Sequence, residues 1–282
     1  MSWSAECAFW RRMLQTFAVE AAVKSERRRC WFYDFGDRPV SYEPVRRWQL
    51  QLRAARGCQR GAARELYSPK RCLPDVLMLL THVPVYTLGT AANAKDLRFA
   101  LHESPCAVTR TERGGKVTYH GPGQVTGYAI MDLCKYRRDL RWYVSMLEEV
   151  VIRSLGEFGI SGERLAGHHG VWVGGATRKI ATIGVSASRW ITCHGFALNV
   201  TRDVLEPFRR IVACGLDGDT MTCMHELVPD RQTCTVEKVR QKLATHFAQV
   251  FDVVLEPYKP ELRSLSDAKC ADEERQHPSA RR

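Results

Sequence analysis

Two kinds of hydrophobic spacing alternate along the chain. Between Leu140 and Phe158 apolar residues recur every three or four positions, as in a helix with one buried face, and Gly159 supplies a stop. The same spacing predicts helices over residues 42–66 and from Thr235 onward. Short apolar or alternating runs predict strands at residues 31–35, 75–82, 106–110, 117–119, 125–133, 171–173, 178–186 and 191–200.

The order of these elements indicates the fold class. Hairpins mixed with a few helices, rather than regular strand-helix alternation, favour an α+β fold with a mixed, largely antiparallel sheet and flanking helices. Residues 30–255 contain neither an internal repeat nor a linker, so we predict one domain there. Residues 256–282, rich in Pro, Ser and charged residues, are predicted to form a loose tail.

The first 29 residues form a separate segment in the sequence. They combine apolar residues with six basic ones, as organellar targeting peptides do, and a targeting peptide would place the protein in mitochondria. Their three glutamates favour the alternative, an ordinary leading helix of a cytoplasmic protein. Both interpretations stay open at this point.

Composition narrows the choice of partner. The 282 residues are 45% hydrophobic, enough to bury a core, and carry a formal net charge of +11. Most of this excess lies in residues 30–255, with 30 basic and 22 acidic residues, but without the basic runs or aromatic motifs of nucleic-acid binding proteins. The longest apolar run, residues 76–80, is far short of the roughly 20 residues of a membrane span. A basic tail that wraps nucleic acid is therefore poorly supported, while the partner class (nucleic acid, an anionic membrane surface or an acidic protein) stays open at this point.

The cysteines exclude several classes of small metal or disulfide protein. Eleven are present, and no two neighbours have C-x-x-C spacing. An odd number without this spacing argues against a zinc ribbon, a thioredoxin-type pair and a closed disulfide framework. Free thiols in a reducing compartment are expected.

A glycine-rich segment, residues 113–124, is the first candidate site. Gly114, Gly115, Gly121 and Gly123 surround polar residues there, and glycine lets a backbone pass close to a ligand. The spacing matches neither the dinucleotide fingerprint nor the Walker loop. The segment is either a ligand-binding loop or a glycine-rich turn without further role.

Two single residues are also candidates for chemistry. Lys179 lies between small and apolar residues, where it is either partly desolvated and able to exchange protons or a solvated strand-end lysine. Cys214 is followed directly by Gly215, a sequence that would leave an accessible sulfur at a turn. The alternative for Cys214 is a buried, inert thiol.

Together these segments resemble one family, the lipoyl(octanoyl) transferases, or octanoyl-[acyl-carrier-protein]:protein N-octanoyltransferases. Residues 113–124 match the signature R-G-G-x-x-T-Y-H-G-P-G-Q at every fixed position. The resemblance covers roughly residues 30–255. It continues, in the family's order, through residues 79–89, 170–173, 178–181, 194–199 and 214–215.

This resemblance implies a fold similar to the biotin and lipoate ligase catalytic domain and a two-step transfer. Cys214 matches the nucleophile that would take the octanoyl group from acyl carrier protein as a thioester, and Lys179 matches its paired lysine. The acyl group would pass to a lysine of a lipoyl domain, in 2-oxoacid dehydrogenase E2 subunits or the glycine cleavage H protein. This is the first step of endogenous protein lipoylation, and it implies no cofactor or metal.

The resemblance also implies a substrate-binding set. His120 is expected to orient the substrate carbonyl or the reacting pair, and Tyr119 to line the acyl tunnel together with residues near Gly89. His194 is a second candidate for the role of His120, or a structural histidine. The full set is Arg113, Gly114, Gly115, Thr118, Tyr119, His120, Gly121, Gly123, Gln124, His194 and Gly195.

Departures from the family pattern leave the reacting groups in place. Ala213 stands where the family has proline, and Cys223 adds a second thiol close in sequence to Cys214. Two rival functions remain open. One is an ATP-dependent lipoate or biotin ligase of the same fold, although the biotin-ligase loop G-R-G-R-x-G is missing. The other is a basic module that binds RNA or carrier protein without catalysis.

Overall fold

Two sheets organise the fold. The structure, a computed structural model, describes residues 27–61, 73–213 and 218–258. In chain order the strands are β1 (Arg28–Asp34), β2 (Asp75–Leu80), β3 (Val85–Leu88), β4 (Ala107–Arg110), β5 (Val117–His120), β6 (Gln124–Ile130), β7 (Glu163–Leu165), β8 (His168–Val173), β9 (Arg178–Ser188), β10 (Ile191–Asn199) and β11 (Val253–Pro257). The helices are α1 (Tyr42–Gly61), α2 (Leu140–Gly156), the short α3 (Leu205–Arg209) and α4 (Val236–Phe251).

The larger sheet has eight strands in the order β11-β1-β2-β6-β10-β9-β8-β7. Strand β1 is parallel to both β11 and β2, and the remaining neighbours are antiparallel. The smaller sheet has the order β4-β3-β5, with β3 parallel to β4 and antiparallel to β5. The predicted fold class, a mixed and largely antiparallel sheet with flanking helices, is confirmed.

Helices cover both faces of the larger sheet, and strand β2 shows why. Its side chains point alternately to the two faces. Leu77 and Leu79 pack into the core cluster that contains α2 and α4, while Met78 and Leu80 pack into the cluster that contains α1. All four side chains are fully buried, which explains why β2 reads as a continuous apolar run.

The two long helices that share one face begin at capping residues. The Asp139 carboxylate accepts hydrogen bonds from the backbone N–H groups of Arg141 (2.9 Å) and Trp142 (3.1 Å) at the start of α2. Thr235 caps α4 in the same way, accepting from Lys238 N–H at 3.2 Å, so the predicted start of this helix is confirmed. Within the described ranges, no helix combines the length and apolar composition that crossing a bilayer requires.

Three strands were not predicted. Residues 85–88 were expected to be a loop between Pro84 and Gly89, yet they form β3, because a four-residue strand is too short to show a clear period. Strands β7 and β11, of three and five residues, are also short. Strand β11 extends two residues into the segment predicted to be a tail, and the ring of Tyr258 lies 4.6 Å from that of Trp31. Residues 1–26, 62–72 and 259–282, including the predicted end of the helix at 66, lie outside the described residues.

Candidate active site

The glycine-rich segment joins the two sheets. The backbone N–H of Gly114 donates to Val185 of β9 in the larger sheet (2.9 Å), and Gly89 N–H, at the end of β3, donates to Lys116 (3.1 Å). The chain then runs through β5 of the smaller sheet, turns at Gly121 to Gly123 and enters β6 of the larger one. The Gly123 backbone has φ of +83°, which favours glycine. The segment therefore encloses the space between the sheets.

Alternation along β5 separates its side chains into two groups. Thr118 and His120 face the space between the sheets, where they line a cavity. Tyr119 points the other way and packs against Tyr86 (5.4 Å between ring centroids) and Phe208 (6.0 Å). It lines neither of the two cavities of the site, in contrast to its expected place in the acyl tunnel, because consecutive residues of a strand face opposite sides.

The smaller of these cavities is partly open and has a volume of about 30 Å³. Seven residues of the predicted substrate-binding set line it: Arg113, Gly114, Gly115, Thr118, His120, His194 and Gly195. The other lining residues are Tyr42, Thr126, Tyr128, Thr182, Ile183, Gly184, Phe196 and Ala197. The predicted residues of two distant segments are thus brought together here.

Arg113 is buried and holds the glycine-rich segment to β3. One guanidinium nitrogen, Nη2, donates to the Thr87 carbonyl oxygen at 2.6 Å and to its hydroxyl at 2.9 Å. The other, Nη1, donates to the Gly114 carbonyl at 3.1 Å. This cation also lies close enough to two histidines to disfavour their protonation.

Three buried histidines surround this region in neutral form. Burial lowers the pKa of His82 and that of His194 to about 4 each, and lowers that of His120 to about 3. Arg113 adds to the effect at His194, while Glu112, with a carboxylate oxygen 3.5 Å from His194 Nε2, opposes it. All three imidazoles are therefore uncharged at neutral pH.

His194 adopts a strained backbone conformation. Its φ of +65° lies in the left-handed region, in the middle of β10, and its backbone N–H leaves the usual ladder to donate to Gln49 Oε1 at 2.9 Å. Non-glycine residues in this region cost of order 1–3 kcal/mol and cluster at functional sites. The hydrogen bond to the α1 side chain holds the ring of His194 at the cavity wall.

A larger cavity of about 450 Å³ lies against the first one. The two share Gly114, Gly115, Ile183 and Gly184 as walls. The rest of its lining consists of apolar side chains, a glycine and groups that carry or can carry positive charge: Leu140, Val144, Val185, Gly167, Lys116, Arg141, His168, His169 and Lys179. No carboxylate belongs to this lining within the part of the chain that the structure describes.

Lys179 projects into the larger cavity from the start of β9. Its side chain is only 3% exposed, so the interpretation as a solvated strand-end lysine is wrong. The pairing of β8 with β9 shifts by one residue at Ile180, and such bulges re-aim neighbouring side chains. The ammonium lies 5.3 Å from the ring centroid of Trp172, and no residue of the described ranges forms a hydrogen bond or ion pair with it.

Gly170 provides the space for Lys179. Its φ is +116°, and a Cβ atom at this position would collide with the Ala181 carbonyl and lie 2.6 Å from Lys179 Cε. The Gly170 N–H donates to Glu148 Oε1 on α2 at 3.0 Å, and Arg164 binds the other oxygen of that carboxylate at 3.2 Å. Helix α2 thus fixes the strand against which the lysine packs.

Cys214 itself lies outside the described residues, together with residues 215–217. The described chain on both sides approaches the site. Ala213 pairs with Val117, the first residue of β5, and Met221 pairs with Lys179. The Thr222 N–H donates to the Lys179 carbonyl at 2.9 Å.

Sequence reasoning missed several residues of the smaller cavity. Thr126 and Tyr128 share one face of β6 with Gln124, so the period-2 pattern of that strand could have identified them. Tyr42, at the start of α1, gave no comparable signal. Its ring is nearly parallel to that of His120, at an interplanar angle of 8° and 6.2 Å between centroids.

The neutral histidines predict a stability that depends on pH. Because their folded pKa values lie below the unfolded value of about 6.5, the unfolded state binds more protons as the pH falls, and stability is lost from pH 6.5 down to about 4. We expect each of the three histidines to remove about 2 kcal/mol of unfolding free energy between pH 7 and pH 5. Urea unfolding at the two pH values measures this loss.

A matched pair of variants tests the origin of this slope. In His82→Asn, the loss of unfolding free energy between pH 7 and pH 5 should be about one third smaller than in the wild type, because one of the three histidines no longer contributes. His169→Asn, at an exposed position, should leave it unchanged. Equal unfolding free energies at pH 5 and pH 7 would contradict the neutral burial of these side chains.

Comparison with known proteins identifies the family. Residues 61–248 match the model of the lipoyl protein ligase A/B catalytic domain. An octanoyltransferase of Gloeobacter violaceus is 49% identical over 218 residues, or 77% of this chain and 89% of that protein. An octanoyltransferase of Nostoc punctiforme is 44% identical over 232 residues, or 82% of this chain and 93% of that protein. These relatives are cyanobacterial and give no support to the predicted mitochondrial location.

Solved structures show the same fold. A lipoate-protein ligase A bound with ATP superposes with a TM-score of 0.65 at 13% identity, covering 86% of this chain and 93% of that one. A bi-partite lipoate protein ligase of Thermoplasma acidophilum superposes with a TM-score of 0.58 at 14% identity, covering 86% of this chain and 91% of that one. From the family match and the octanoyltransferase relatives we conclude that this chain is an acyltransferase enzyme of the lipoyl protein ligase A/B catalytic domain family, within its lipoyl(octanoyl) transferases.

Proposed function

We propose that this enzyme transfers an octanoyl group from octanoyl-acyl carrier protein, through a thioester on Cys214, to a lysine of a lipoyl domain. The observation that carries the proposal is the buried Lys179, whose ammonium enters a cavity walled by the glycine-rich signature. The octanoyltransferase relatives support octanoyl transfer in protein lipoylation.

The larger cavity suits an acyl chain. Its volume of about 450 Å³ falls in the usual range of about 300–1,000 Å³ for small-molecule sites. Leu140 and Val144 of α2 and Ile183 and Val185 of β9 supply apolar walls, which favour burial of hydrocarbon. Lys179 supplies a polar end at which the thioester carbonyl would lie.

Two exchanges of bonds complete the transfer. In the first, the Cys214 thiolate attacks the octanoyl thioester, a C–S bond to Cys214 forms, the C–S bond to the carrier breaks, and the carrier leaves as a thiol after taking up a proton. In the second, the acceptor amine attacks the acyl-enzyme, a C–N bond forms, the C–S bond to Cys214 breaks, and the amine proton goes to the departing sulfur. Lys179 is the group that would move these protons.

The chain on both sides of Cys214 supports its action together with Lys179. Cys214 directly follows Ala213, which forms a β-bridge with Val117 in the glycine-rich segment. Further along the chain, Met221 forms a β-bridge with Lys179 itself. Consecutive Cα atoms are about 3.8 Å apart, so the cysteine stays within a short distance of Ala213.

The other thiols are poor nucleophiles by comparison. Of the six free cysteines whose side chains the structure describes, five have a pKa raised by desolvation: Cys30, Cys106, Cys193, Cys223 and Cys234. The pKa is about 11 for Cys193 and for Cys234, so almost no thiolate exists at neutral pH. The second thiol of concern, Cys223, is fully buried. This favours Cys214 as the acylated residue.

Acidic partner proteins fit the charge of the cavity rim. Lys116 and Arg141 line the larger cavity. The charge of Lys116 is partly neutralised by an ion pair with Asp96, whose Oδ1 lies 3.3 Å from Lys116 Nζ. Acyl carrier protein as donor, and lipoyl domains of E2 subunits and of the glycine cleavage H protein as acceptors, are the partners we propose. A positive rim would steer acidic partners toward Lys179.

The acyl-enzyme gives the first test. After mixing with octanoyl-carrier protein in the absence of acceptor, intact mass spectrometry should show one hydroxylamine-sensitive octanoyl adduct on the wild type and none on Cys214→Ala. Cys223→Ala is the matched control and should be acylated like the wild type. Free octanoate with ATP should give no adduct, which separates the transferase from a ligase. An adduct that persists in Cys214→Ala and maps to Cys223 would refute the assignment.

Lys179 gives the second test. Lys179→Met and Lys179→Arg should both fold and both slow single-turnover acylation by about 10²–10⁴-fold, since neither side chain can take up and release a proton at neutral pH. Lys238→Met, on the exposed side of α4, is the control and should acylate at the wild-type rate. A wild-type rate for Lys179→Arg would mean that charge alone is required and would contradict the proton-transfer role.

Salt dependence tests the steering of the donor. We expect kcat/KM for octanoyl-carrier protein to fall as ionic strength rises, because screening weakens long-range attraction. Arg141→Glu should lower kcat/KM several-fold at low salt and lose this effect at about 1 M salt. Lys238→Glu, which changes a charge beside the opposite end of α2, should leave kcat/KM unchanged at low salt. A kcat/KM independent of salt in the wild type would contradict steering.

A further inference from the structure

A continuous chain of buried side-chain hydrogen bonds links His120 to the strand of Lys179. His120 Nδ1 lies 2.8 Å from Gln124 Oε1, and Gln124 Nε2 donates to Asn199 Oδ1 at 3.0 Å. Asn199 Nδ2 donates to the Thr222 carbonyl at 2.9 Å, and the Thr222 N–H donates to the Lys179 carbonyl. Gln124 and Asn199 are at most 1% exposed, so water does not compete for these bonds.

Two backbone carbonyls determine every orientation in this chain. A carbonyl oxygen only accepts hydrogen bonds, so Asn199 must turn its Nδ2 toward Thr222 and its Oδ1 toward Gln124. Gln124 Nε2 also donates to the Tyr119 carbonyl at 3.2 Å, a longer bond that favours the same orientation. Gln124 Oε1 therefore faces His120, and His120 Nδ1 must carry the proton.

The remaining nitrogen of His120 is then an acceptor. With the proton on Nδ1, Nε2 of the neutral ring presents a lone pair. His120 lines the smaller cavity, and none of the described residues donates to this Nε2. Thr118 Oγ1, on the same face of β5, is also buried without a hydrogen-bond partner among the described residues. The cavity thus contains two polar atoms available to an entering N–H or O–H group.

We propose that Gln124 and Asn199 are positioning residues that hold His120 as a hydrogen-bond acceptor at the smaller cavity, which adjoins the larger cavity of Lys179. On this proposal, of the two roles expected for His120, orienting the reacting pair is favoured over binding the substrate carbonyl, because an unprotonated nitrogen cannot donate to a carbonyl oxygen. The inference rests on the proposed function only for the identity of the donor, which is the N–H of the acceptor amine. Thr222 ties the same network to the strand that holds Lys179.

The tautomer can be measured without substrate, so its test is separate from that of octanoyl transfer. In protein labelled with ¹⁵N-histidine, long-range ¹H–¹⁵N correlation spectra should show His120 protonated at Nδ1 and unprotonated at Nε2 from pH 5 to pH 8. The His120 signal is assigned by its loss in His120→Ala. Protonation at Nε2 in the wild type would overturn the inference.

Variants separate positioning from a merely structural role. Asn199→Ala removes the partner that orients Gln124, and we expect mixed His120 tautomers and about a tenfold loss of transfer rate in a folded protein. Thr81→Val is the matched control, since its hydroxyl binds only the backbone carbonyl of Gln124 at 3.1 Å, and it should keep the wild-type tautomer and rate. An unchanged tautomer and rate in Asn199→Ala would contradict the proposal.

A substitution of His120 itself tests the acceptor role. In His120→Asn the amide can still donate to Gln124 but offers no group at the position of Nε2. We expect it to lose transfer activity to the same extent as His120→Ala, even where circular dichroism and thermal unfolding match the wild type. Full activity of His120→Asn would show that only the bond to Gln124 matters and would overturn the acceptor role.

Discussion

Polar groups buried between the two sheets must find their hydrogen-bond partners within the protein, and the rest of the site depends on this constraint. An unsatisfied buried group costs about 1–3 kcal/mol. Arg113 meets the requirement with the backbone and hydroxyl of Thr87, and His82 with the Val40 carbonyl (3.0 Å) and the Tyr128 hydroxyl (2.8 Å). Each such bond fixes one element against another, so the sheets keep a defined spacing around the cavities.

The same constraint links stability to chemistry. Burial keeps the histidines neutral, and the fixed partners of His120 leave it a single tautomer. Lys179 and Thr118 are two exceptions: neither the ammonium nor the hydroxyl has a hydrogen-bond partner among the described residues, and the ammonium lies near the Trp172 ring. A buried amine without a hydrogen-bond partner leaves a place for an incoming polar group, as the proposed acyl transfer requires.

Much of this arrangement could be predicted from the sequence. The helical spacing from Leu140 onward and the alternation in the later strands gave the α+β fold, because those elements are long enough to show their period. Strands β3, β7 and β11 were missed because they are short. The glycine-rich segment and Lys179 were selected as candidates through the family resemblance, whereas Tyr42 and Asn199 make their contacts with the site only across the fold. Strand alternation within the signature could have indicated that Tyr119 points away from Thr118 and His120.

The central claim is that the octanoyl chain occupies the cavity between α2 and β9 with its carbonyl beside Lys179. The most direct measurement is a crystal structure of the enzyme acylated by octanoyl-carrier protein without acceptor. We predict continuous density from Cys214 Sγ into the cavity of about 450 Å³, in contact with Ile183 and Val185, and the thioester within hydrogen-bonding reach of Lys179 Nζ. An acyl chain attached to another residue, or lying outside this cavity, would contradict the account.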